Sequence, residues 1–209
     1  MMKHIIVLVS GGGTNLQALI DQQEQGNIKN GKISCVISSN PDAYALQRAE
    51  KHGIKSRVLS RKKFQNNHDY SLALLDLLRE EKADLIVLAG FMIILDAELI
   101  RAYENQIINV HPALIPAFCG DGFYGLHVHE KALEKGVKLT GATVHFVNEI
   151  CDGGAIILQK AVEVRKGDTP EILQRRVMEQ AEWQILPQAV SLFCEDRLQI
   201  ENNHVWIIE

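Results

Sequence analysis

Short apolar segments rich in β-branched residues alternate with helix-like segments through the first half of the chain. The apolar segments cover residues 4–10, 33–39, 56–60, 83–90 and 106–110. The helix-like segments between them cover residues 14–26, 41–53 and 67–82. Near-continuous apolar strands separated by helices are typical of a parallel sheet that is covered on both faces. The pattern therefore predicts a doubly wound α/β fold, a mostly parallel sheet with helices on both faces.

The second half of the chain continues this pattern with a Gly/Pro-rich passage and fewer helices. Residues 140–147 and 153–164 predict two further strands that could extend the same sheet. A last helix is expected to begin near Asp168 and to run to about Phe193. Because proline lacks the N–H group that a helix needs, we expect a kink at Pro187.

Length, charge and cysteine content narrow the class of protein. The 209 residues, 46% of them hydrophobic, suit one domain over residues 1–209, and no linker or repeat marks a boundary. The net charge of −4, without a long Lys/Arg cluster, argues against a nucleic-acid partner. The four cysteines form no CxxC pair, which argues against zinc or a disulfide framework. With neither a signal peptide nor a long apolar run evident, we expect a cytoplasmic protein without a membrane partner.

A glycine-rich turn joins the first strand to the first helix. The segment "VLVSGGGTNLQ" (7–17) presents backbone N–H groups and the positive end of a helix dipole, which suits a phosphate. A dinucleotide is less well supported, because Leu16 stands where GxGxxG has its third glycine. The alternative, a tight strand–helix turn without a ligand, stays open.

The segment "IINVHP" places an amide and an imidazole on one face of a strand. Side chains alternate along a strand, so Asn109 and His111 share a face, and Pro112 suggests that the strand ends there. Ligands of open α/β sheets bind beyond the carboxyl ends of the strands. An amide can stabilise an oxyanion and an imidazole can transfer a proton, a combination that suits acyl or formyl transfer. A hydrogen-bonded turn and an interior histidine remain the structural alternative.

Asp152 precedes two glycines in the polar turn between the two last predicted strands. An aspartate close to His111 is expected to raise the pKa of the imidazole, to orient it and to accept a proton from an attacking amine. An ordinary hairpin turn is the alternative. His127 and His129 have a spacing that could bind a metal, but no third ligand is evident, so we expect no metal site. His145 is interpreted as a satisfied strand histidine.

Five segments together, over essentially the whole chain, resemble the phosphoribosylglycinamide formyltransferases of purine biosynthesis. They are "SGGGTNLQALID", "VLAGFMIIL", "NVHPALIPAF", "GLHVHEKAL" and "GATVHFVNEICDGGAIILQ". The most specific part of the resemblance is Asn-x-His-Pro-x-Leu-x-Pro combined with the downstream Asp-Gly-Gly turn. The resemblance implies a Rossmann-like formyltransferase fold with a phosphate-binding half, residues 1–110, and a catalytic and folate-binding half, residues 111–209.

The resemblance also implies a reaction and residue roles. The amine of phosphoribosylglycinamide attacks the formyl carbon of the co-substrate 10-formyltetrahydrofolate, in de novo purine (IMP) biosynthesis. By resemblance, Asn109 hydrogen-bonds the oxygen of the tetrahedral intermediate, and His111 acts as general acid and electrostatic stabiliser. Asp152 keeps His111 charged and assists proton transfer. Both substrates are small molecules, and a monomer or homodimer is expected.

Binding residues follow by the same resemblance. The phosphoribosylglycinamide site is implied to comprise Gly12, Gly13, Thr14, Asn15, Glu179 and Glu182. Glu179 and Glu182 are expected to share one face of the last helix, with a solvated helix face as the alternative reading. The folate site is implied to comprise Met92, Ile93, Ile94, Leu95, Asn109, Asn148, Glu149, Ile150, Cys151 and Asp152.

The chain departs from the family pattern in two places. Ile93 and Asn67 stand where the family commonly carries arginines that contact the glutamate tail of the folate, and a cation within 61–63 is a candidate substitute. The loop at 119–124 is longer than in the shortest members. Its glycines suggest a mobile flap over residues 117–125.

Three other functions compete with this interpretation. A formyltetrahydrofolate hydrolase uses a similar Asn/His/Asp set but usually carries an additional N-terminal domain. Methionyl-tRNA formyltransferase is expected to need a further C-terminal domain and a basic surface. A folate- or nucleotide-binding regulator without activity would keep the glycine loop but would not need Asn109, His111 and Asp152 together.

Overall fold

A seven-stranded sheet forms the centre of the molecule, in a computed structural model that describes residues 2–209. Its strands are β1 (Lys3–Val9), β2 (Gly31–Ser38), β3 (Lys55–Val58), β4 (Leu85–Leu88), β5 (Ile107–His111), β6 (Leu139–Phe146) and β7 (Ile156–Glu163). The spatial order is β3-β2-β1-β4-β5-β6-β7. The first five strands are parallel, whereas β6 runs antiparallel to both β5 and β7. The predicted mostly parallel sheet is confirmed, and both later strands extend it.

Within residues 2–209, seven α-helices and a small hairpin surround or follow this sheet. The helices are α1 (Thr14–Glu24), α2 (Tyr44–Lys51), α3 (Asn67–Glu80), α4 (Ala97–Ala102), α5 (Leu126–Lys135), α6 (Pro170–Val177) and α7 (Trp183–Cys194). Strands β8 (Leu198–Glu201) and β9 (His204–Ile207) form the separate hairpin. Sequence reasoning did not predict α4 or this hairpin, whose short segments carry weak periodic signals.

Strand β1 shows why the central strands are apolar on both faces. Ile5, Val7 and Val9 point into one hydrophobic cluster, which α1 and α7 cover. Ile6 and Leu8 point into a second cluster on the opposite face, which α3 and α4 cover. All five side chains are fully buried. Polar groups therefore have no place between Ile5 and Val9 and collect beyond the carboxyl end of the strand.

The C-terminal helical region changes geometry before its proline. Residues Met178–Glu182 form a π-helical turn between α6 and α7, whereas Pro187 lies inside α7. The hydrogen-bonding pattern therefore changes at this turn, and the kink at Pro187 stays a prediction. A proline clashes with the carbonyl four residues earlier and cannot donate to it, and that carbonyl belongs to Trp183, directly after the π turn.

Gly141 gives a direct test of the β6–β7 contact. A Cβ atom added at Gly141 would lie 2.0 Å from the Lys160 carbonyl oxygen, a main-chain atom of β7. Because the two strands would have to separate, we expect Gly141→Ala to lower the free energy of unfolding by about 2 kcal/mol or more. Chemical denaturation measures this loss. Gly11→Ala is the control, since its added Cβ meets nothing within 4 Å; equal stabilities of the two variants would contradict the predicted close contact.

Candidate active site

Strands β5 and β6 together place three polar side chains on one face of the sheet. Asn109 and His111 alternate with the buried Val110 along β5. The antiparallel register pairs Asn109 with His145, so the two side chains emerge on the same side. Asn109 Nδ2 lies 3.2 Å from His145 Nε2.

Asp152 joins this group from the turn that follows β6. Its backbone is left-handed, with φ of 54°. Its Oδ2 lies 3.5 Å from His111 Nδ1, and its Oδ1 lies 3.5 Å from His145 Nε2. The side chains of His111, His145 and Asp152 are 4%, 2% and 9% exposed, respectively. The structure thus brings the three predicted catalytic residues together and adds His145.

His145 is the site residue that sequence reasoning placed outside the candidate chemistry. Its Nδ1 lies 2.8 Å from the Phe146 carbonyl oxygen, which can only accept, so Nδ1 carries a hydrogen. The ring is therefore satisfied, as expected of a strand histidine, yet its Nε2 faces both Asn109 and Asp152. The signal that would have found it is the antiparallel register of β5 and β6, since alternation within either strand alone does not reveal the pairing.

Burial dominates the acid–base properties of His111. It lowers the pKa of His111 below the usual value, although the charge of Asp152 and a hydrogen bond to the Phe118 carbonyl act in the opposite direction. Asp152 raises the His111 pKa, as predicted, but desolvation of the imidazolium outweighs this attraction. The implication that Asp152 keeps His111 charged is therefore wrong. Burial also opposes ionisation of Asp152, yet the contact with His145, the hydrogen bond from the Gly120 N–H and the proximity of both imidazoles keep its pKa below the usual value. The pair consists of a carboxylate and a neutral imidazole near pH 7.

The loop between β5 and α5 contacts both members of this pair through its backbone. The Phe118 carbonyl oxygen lies 2.7 Å from His111 Nε2, so this nitrogen carries the hydrogen. The Gly120 N–H donates to Asp152 Oδ2 at 2.9 Å. The segment predicted as a flap, residues 117–125, therefore lies directly against His111 and Asp152, and its mobility remains a prediction.

The glycine loop and Glu182 form a second polar group. Helix α1 begins at Gly13, which is left-handed (φ 70°) and provides no side-chain cap for the first N–H groups. Asn15 Nδ2 donates to Glu182 Oε2 at 2.7 Å. Glu182 is 6% exposed, and its burial raises its pKa to about 7. Asn15 Oδ1 is buried without a partner among residues 2–209, so this pocket retains an unused hydrogen-bond acceptor.

Glu179 does not share the environment of Glu182. It is exposed and pairs with Arg175 across 2.7 Å. The prediction that these two acids share a helix face is wrong, because the π turn bonds residues five apart and removes the usual three-residue alignment.

Two segments implied to bind folate carry exposed apolar side chains. Met92 and Ile94 follow β4, Ile150 lies in the turn before Asp152, and all three are at least 59% exposed. Asn67 donates its Nδ2–H to the Ile94 carbonyl at 2.6 Å and so stabilises the first segment.

The remaining implied folate residues fall into three environments. Leu95 is buried, Ile93 and Asn148 are half-buried, and Glu149 and Cys151 are exposed. Glu149 accepts a hydrogen bond from Arg101 of α4 at 2.7 Å.

The two histidines of α5 have different environments. His127 is exposed and pairs with Glu130 at 3.1 Å, whereas His129 is fully buried, which lowers its pKa to about 4. Over residues 2–209, no group of three or more His, Cys, Asp or Glu side chains is arranged to hold a metal ion. Within the same range, the helices are too short or too polar to span a membrane.

Comparison with known proteins identifies the family of the chain. The formyl transferase family model matches residues 3–190, which identifies the class of the chain. Phosphoribosylglycinamide formyltransferase of Haemophilus influenzae is 43% identical over 99% of the chain and 94% of its own length. The corresponding enzyme of Escherichia coli is 38% identical over 98% and 93%. The chain belongs to the phosphoribosylglycinamide formyltransferase family.

Solved structures support the family assignment and bear on the alternative that the chain is a formyltetrahydrofolate deformylase. Glycinamide ribonucleotide transformylase 1 from Symbiobacterium toebii has a TM-score of 0.93 at 42% identity, covering 100% of this chain and 95% of its own. A formyltetrahydrofolate deformylase from Pseudomonas syringae has a TM-score of 0.89 at 28% identity, covering 100% of this chain and 67% of its own. Both enzymes share the fold, so the lower identity rather than the fold makes the deformylase alternative less well supported.

The Asp152 charge can be tested through the titration of His111. Asp152→Asn removes the negative charge that raises the His111 pKa and leaves the imidazole buried. We therefore expect the His111 pKa to decrease further. NMR titration of the ring resonances measures it. Asp121→Asn is the matched control, since Asp121 is exposed and should leave the titration unchanged. An unchanged or increased His111 pKa in Asp152→Asn would contradict the assigned interaction.

The buried Glu182 carboxyl should make stability depend on pH. Because its folded pKa of about 7 lies above the ordinary 4.5, the folded state binds the proton more tightly, and stability is lost as pH rises from 4.5 through 7. Glu182→Gln removes the cost of ionising a buried carboxyl group. We therefore expect a stabilisation of up to about 3 kcal/mol near pH 8 and much less near pH 5. Thermal and chemical unfolding at both pH values measure it. Glu179→Gln, at an exposed acid of the same turn, is the control; a gain independent of pH would disprove the titration.

Proposed function

We propose that the chain transfers the formyl group of 10-formyltetrahydrofolate to the amine of 5'-phosphoribosylglycinamide in de novo purine biosynthesis, at Asn109, His111 and Asp152. The family assigns the reaction. The observation that supports these residues is the buried Asp152 carboxylate, which lies 3.5 Å from both His111 and His145 at the carboxyl end of β5.

Asn109 is suited to stabilise the oxygen of the tetrahedral intermediate. Its Nδ2 contacts His145 Nε2 at 3.2 Å, which orients the amide. An amide nitrogen has two N–H groups, so one remains for the substrate oxygen as it becomes negative. His145 is therefore a positioning residue for Asn109 and Asp152.

The proton balance follows from the protonation states of the pair. When the substrate amine attacks the formyl carbon, the new C–N bond leaves a positive nitrogen, an acid strong enough to give a proton to the Asp152–His111 pair. His111 becomes an imidazolium beside the carboxylate and the developing oxyanion, both of which favour its charge. It then protonates N10 of the folate as the bond from the formyl carbon to N10 breaks. The pair passes on the proton that it receives, so it does not need to begin protonated.

Two separate regions are suited to the two substrates. The uncapped N-terminus of α1 presents N–H groups to the substrate phosphate, and Glu182 with Asn15 offers acceptors to the ribose or glycinamide end. Met92, Ile94 and Ile150 offer apolar surface to the folate rings. Asn109 and Asp152 stand at the reacting carbon.

Acceptor dependence is the decisive test of this function. The purified protein should convert 10-formyltetrahydrofolate to tetrahydrofolate only when phosphoribosylglycinamide is present, because its amine is the nucleophile that accepts the formyl group. Absorbance of the folate product measures the rate. Release of tetrahydrofolate and formate without the acceptor would instead establish a hydrolase, and no turnover under either condition would establish a protein without this activity.

His111→Ala tests the assigned catalytic site. It should reduce the acceptor-dependent rate by about 10²–10⁴-fold, the usual contribution of a general acid–base group. His127→Ala changes an exposed histidine of α5 and should retain the rate. Circular dichroism would verify that both variants fold. A folded His111→Ala variant with a near-normal rate would refute the role of His111.

A further inference from the structure

Arg48 extends from α2 to the glycine loop, which comprises residues 11–13. Its Nε–H donates to the Gly12 carbonyl oxygen at 2.9 Å, and an Nη1–H donates to Gln17 Oε1 at 3.0 Å. Its guanidinium carbon lies 5.0 Å from the centre of the Tyr44 ring. Both acceptors are neutral oxygens, so neither cancels the positive charge.

Because the peptide bond is planar, this contact also fixes the direction of the N–H group that follows the Gly12 carbonyl. In a trans peptide the carbonyl and the following N–H point in opposite directions. Because Arg48 holds the Gly12 carbonyl toward α2, the Gly13 N–H points away from α2. The Ala45 N–H likewise donates to the Gly11 carbonyl oxygen at 3.1 Å, which points the Gly12 N–H away from α2. Within residues 2–209, neither of these two N–H groups donates a backbone hydrogen bond in the loop.

The loop needs such an external constraint. Gly11, Gly12 and Gly13 lack the side chains that restrict backbone rotation, so a reversed peptide costs little in the loop itself. Reversal of the Gly12–Gly13 peptide would direct a carbonyl dipole, instead of an N–H group, toward a bound anion. The approach of α2 is close, since a Cβ atom on Gly13 would lie 2.6 Å from Ala45 Cβ.

We propose that Arg48 is a positioning residue for substrate phosphate: it holds the Gly12 carbonyl so that the Gly13 N–H is directed at the phosphate dianion. This role rests on the proposed function, which places the phosphate at the start of α1. Arg48 acts through the loop, so it affects binding of the phosphorylated acceptor and leaves the formyl-transfer step at Asn109, His111 and Asp152 unchanged.

Arg48→Met tests this role, because methionine keeps an apolar stem and has no donor. We expect the KM for phosphoribosylglycinamide to rise about ten-fold or more. The kcat and the KM for 10-formyltetrahydrofolate should stay within about two-fold, since neither depends on the loop peptide. Arg48→Lys retains one donor and should recover part of the affinity. Lys51→Met is the matched control, since it removes an exposed charge from the same helix and should change nothing.

A direct binding measurement separates this proposal from the proposed function. Titration of the isotope-labelled protein with ribose 5-phosphate should shift the Gly12 and Gly13 amide resonances in the wild type and much less in Arg48→Met. If the wild type lacks acceptor-dependent turnover but shows this difference, the proposed function fails and the role of Arg48 stands.

Two results would overturn the role of Arg48. One is an unchanged KM with amide shifts equal to those of the wild type. The other is a general loss, in which kcat and both KM values change together with the melting temperature and Arg48→Lys recovers nothing. That second pattern would mark Arg48 as a purely structural residue.

Discussion

Burial of the central strands on both faces determines where this protein can place polar chemistry. Strand β1 contributes alternate side chains to two hydrophobic clusters, and a charged group at any of these positions would lose its hydration without a partner. Parallel strands bring their carboxyl ends to one edge of the sheet, so the glycine loop and the end of β5 meet the same side. The glycine loop and the end of β5 that carries Asn109 and His111 lie on the same side of the sheet because of this shared edge.

Burial also sets the acid–base balance within the site. Desolvation favours the neutral imidazole of His111 and the protonated form of Glu182, while the Gly120 N–H and the two neighbouring imidazoles keep the Asp152 pKa low. A site that holds a carboxylate beside a neutral base can accept a proton from an amine and deliver it to a leaving group. The same burial lowers stability, which is the usual cost of keeping ionisable groups away from water.

Alternation within strands predicted much of this site, and pairing between elements explains what it did not predict. The period of two placed Asn109 and His111 on one face at the end of β5, and the polar turn between the last two predicted strands offered Asp152, which the resemblance supported. His145 required the register between β5 and β6, which no single strand contains. Glu179 was assigned to the wrong face because the π turn replaces the usual helical spacing. The net direction of the His111 pKa depends on how far burial outweighs charge, and burial is a property of the folded chain.

The loop between β5 and α5 forms hydrogen bonds with His111 and Asp152, and both bonds use main-chain atoms of the loop. The Phe118 carbonyl meets His111 and the Gly120 N–H meets Asp152, so neither contact involves the side chain of a loop residue. Substitutions along this loop that preserve its backbone path would keep both hydrogen bonds. The hydrogen bonds to His111 and Asp152 therefore depend on the path of the loop backbone rather than on which side chains the loop carries.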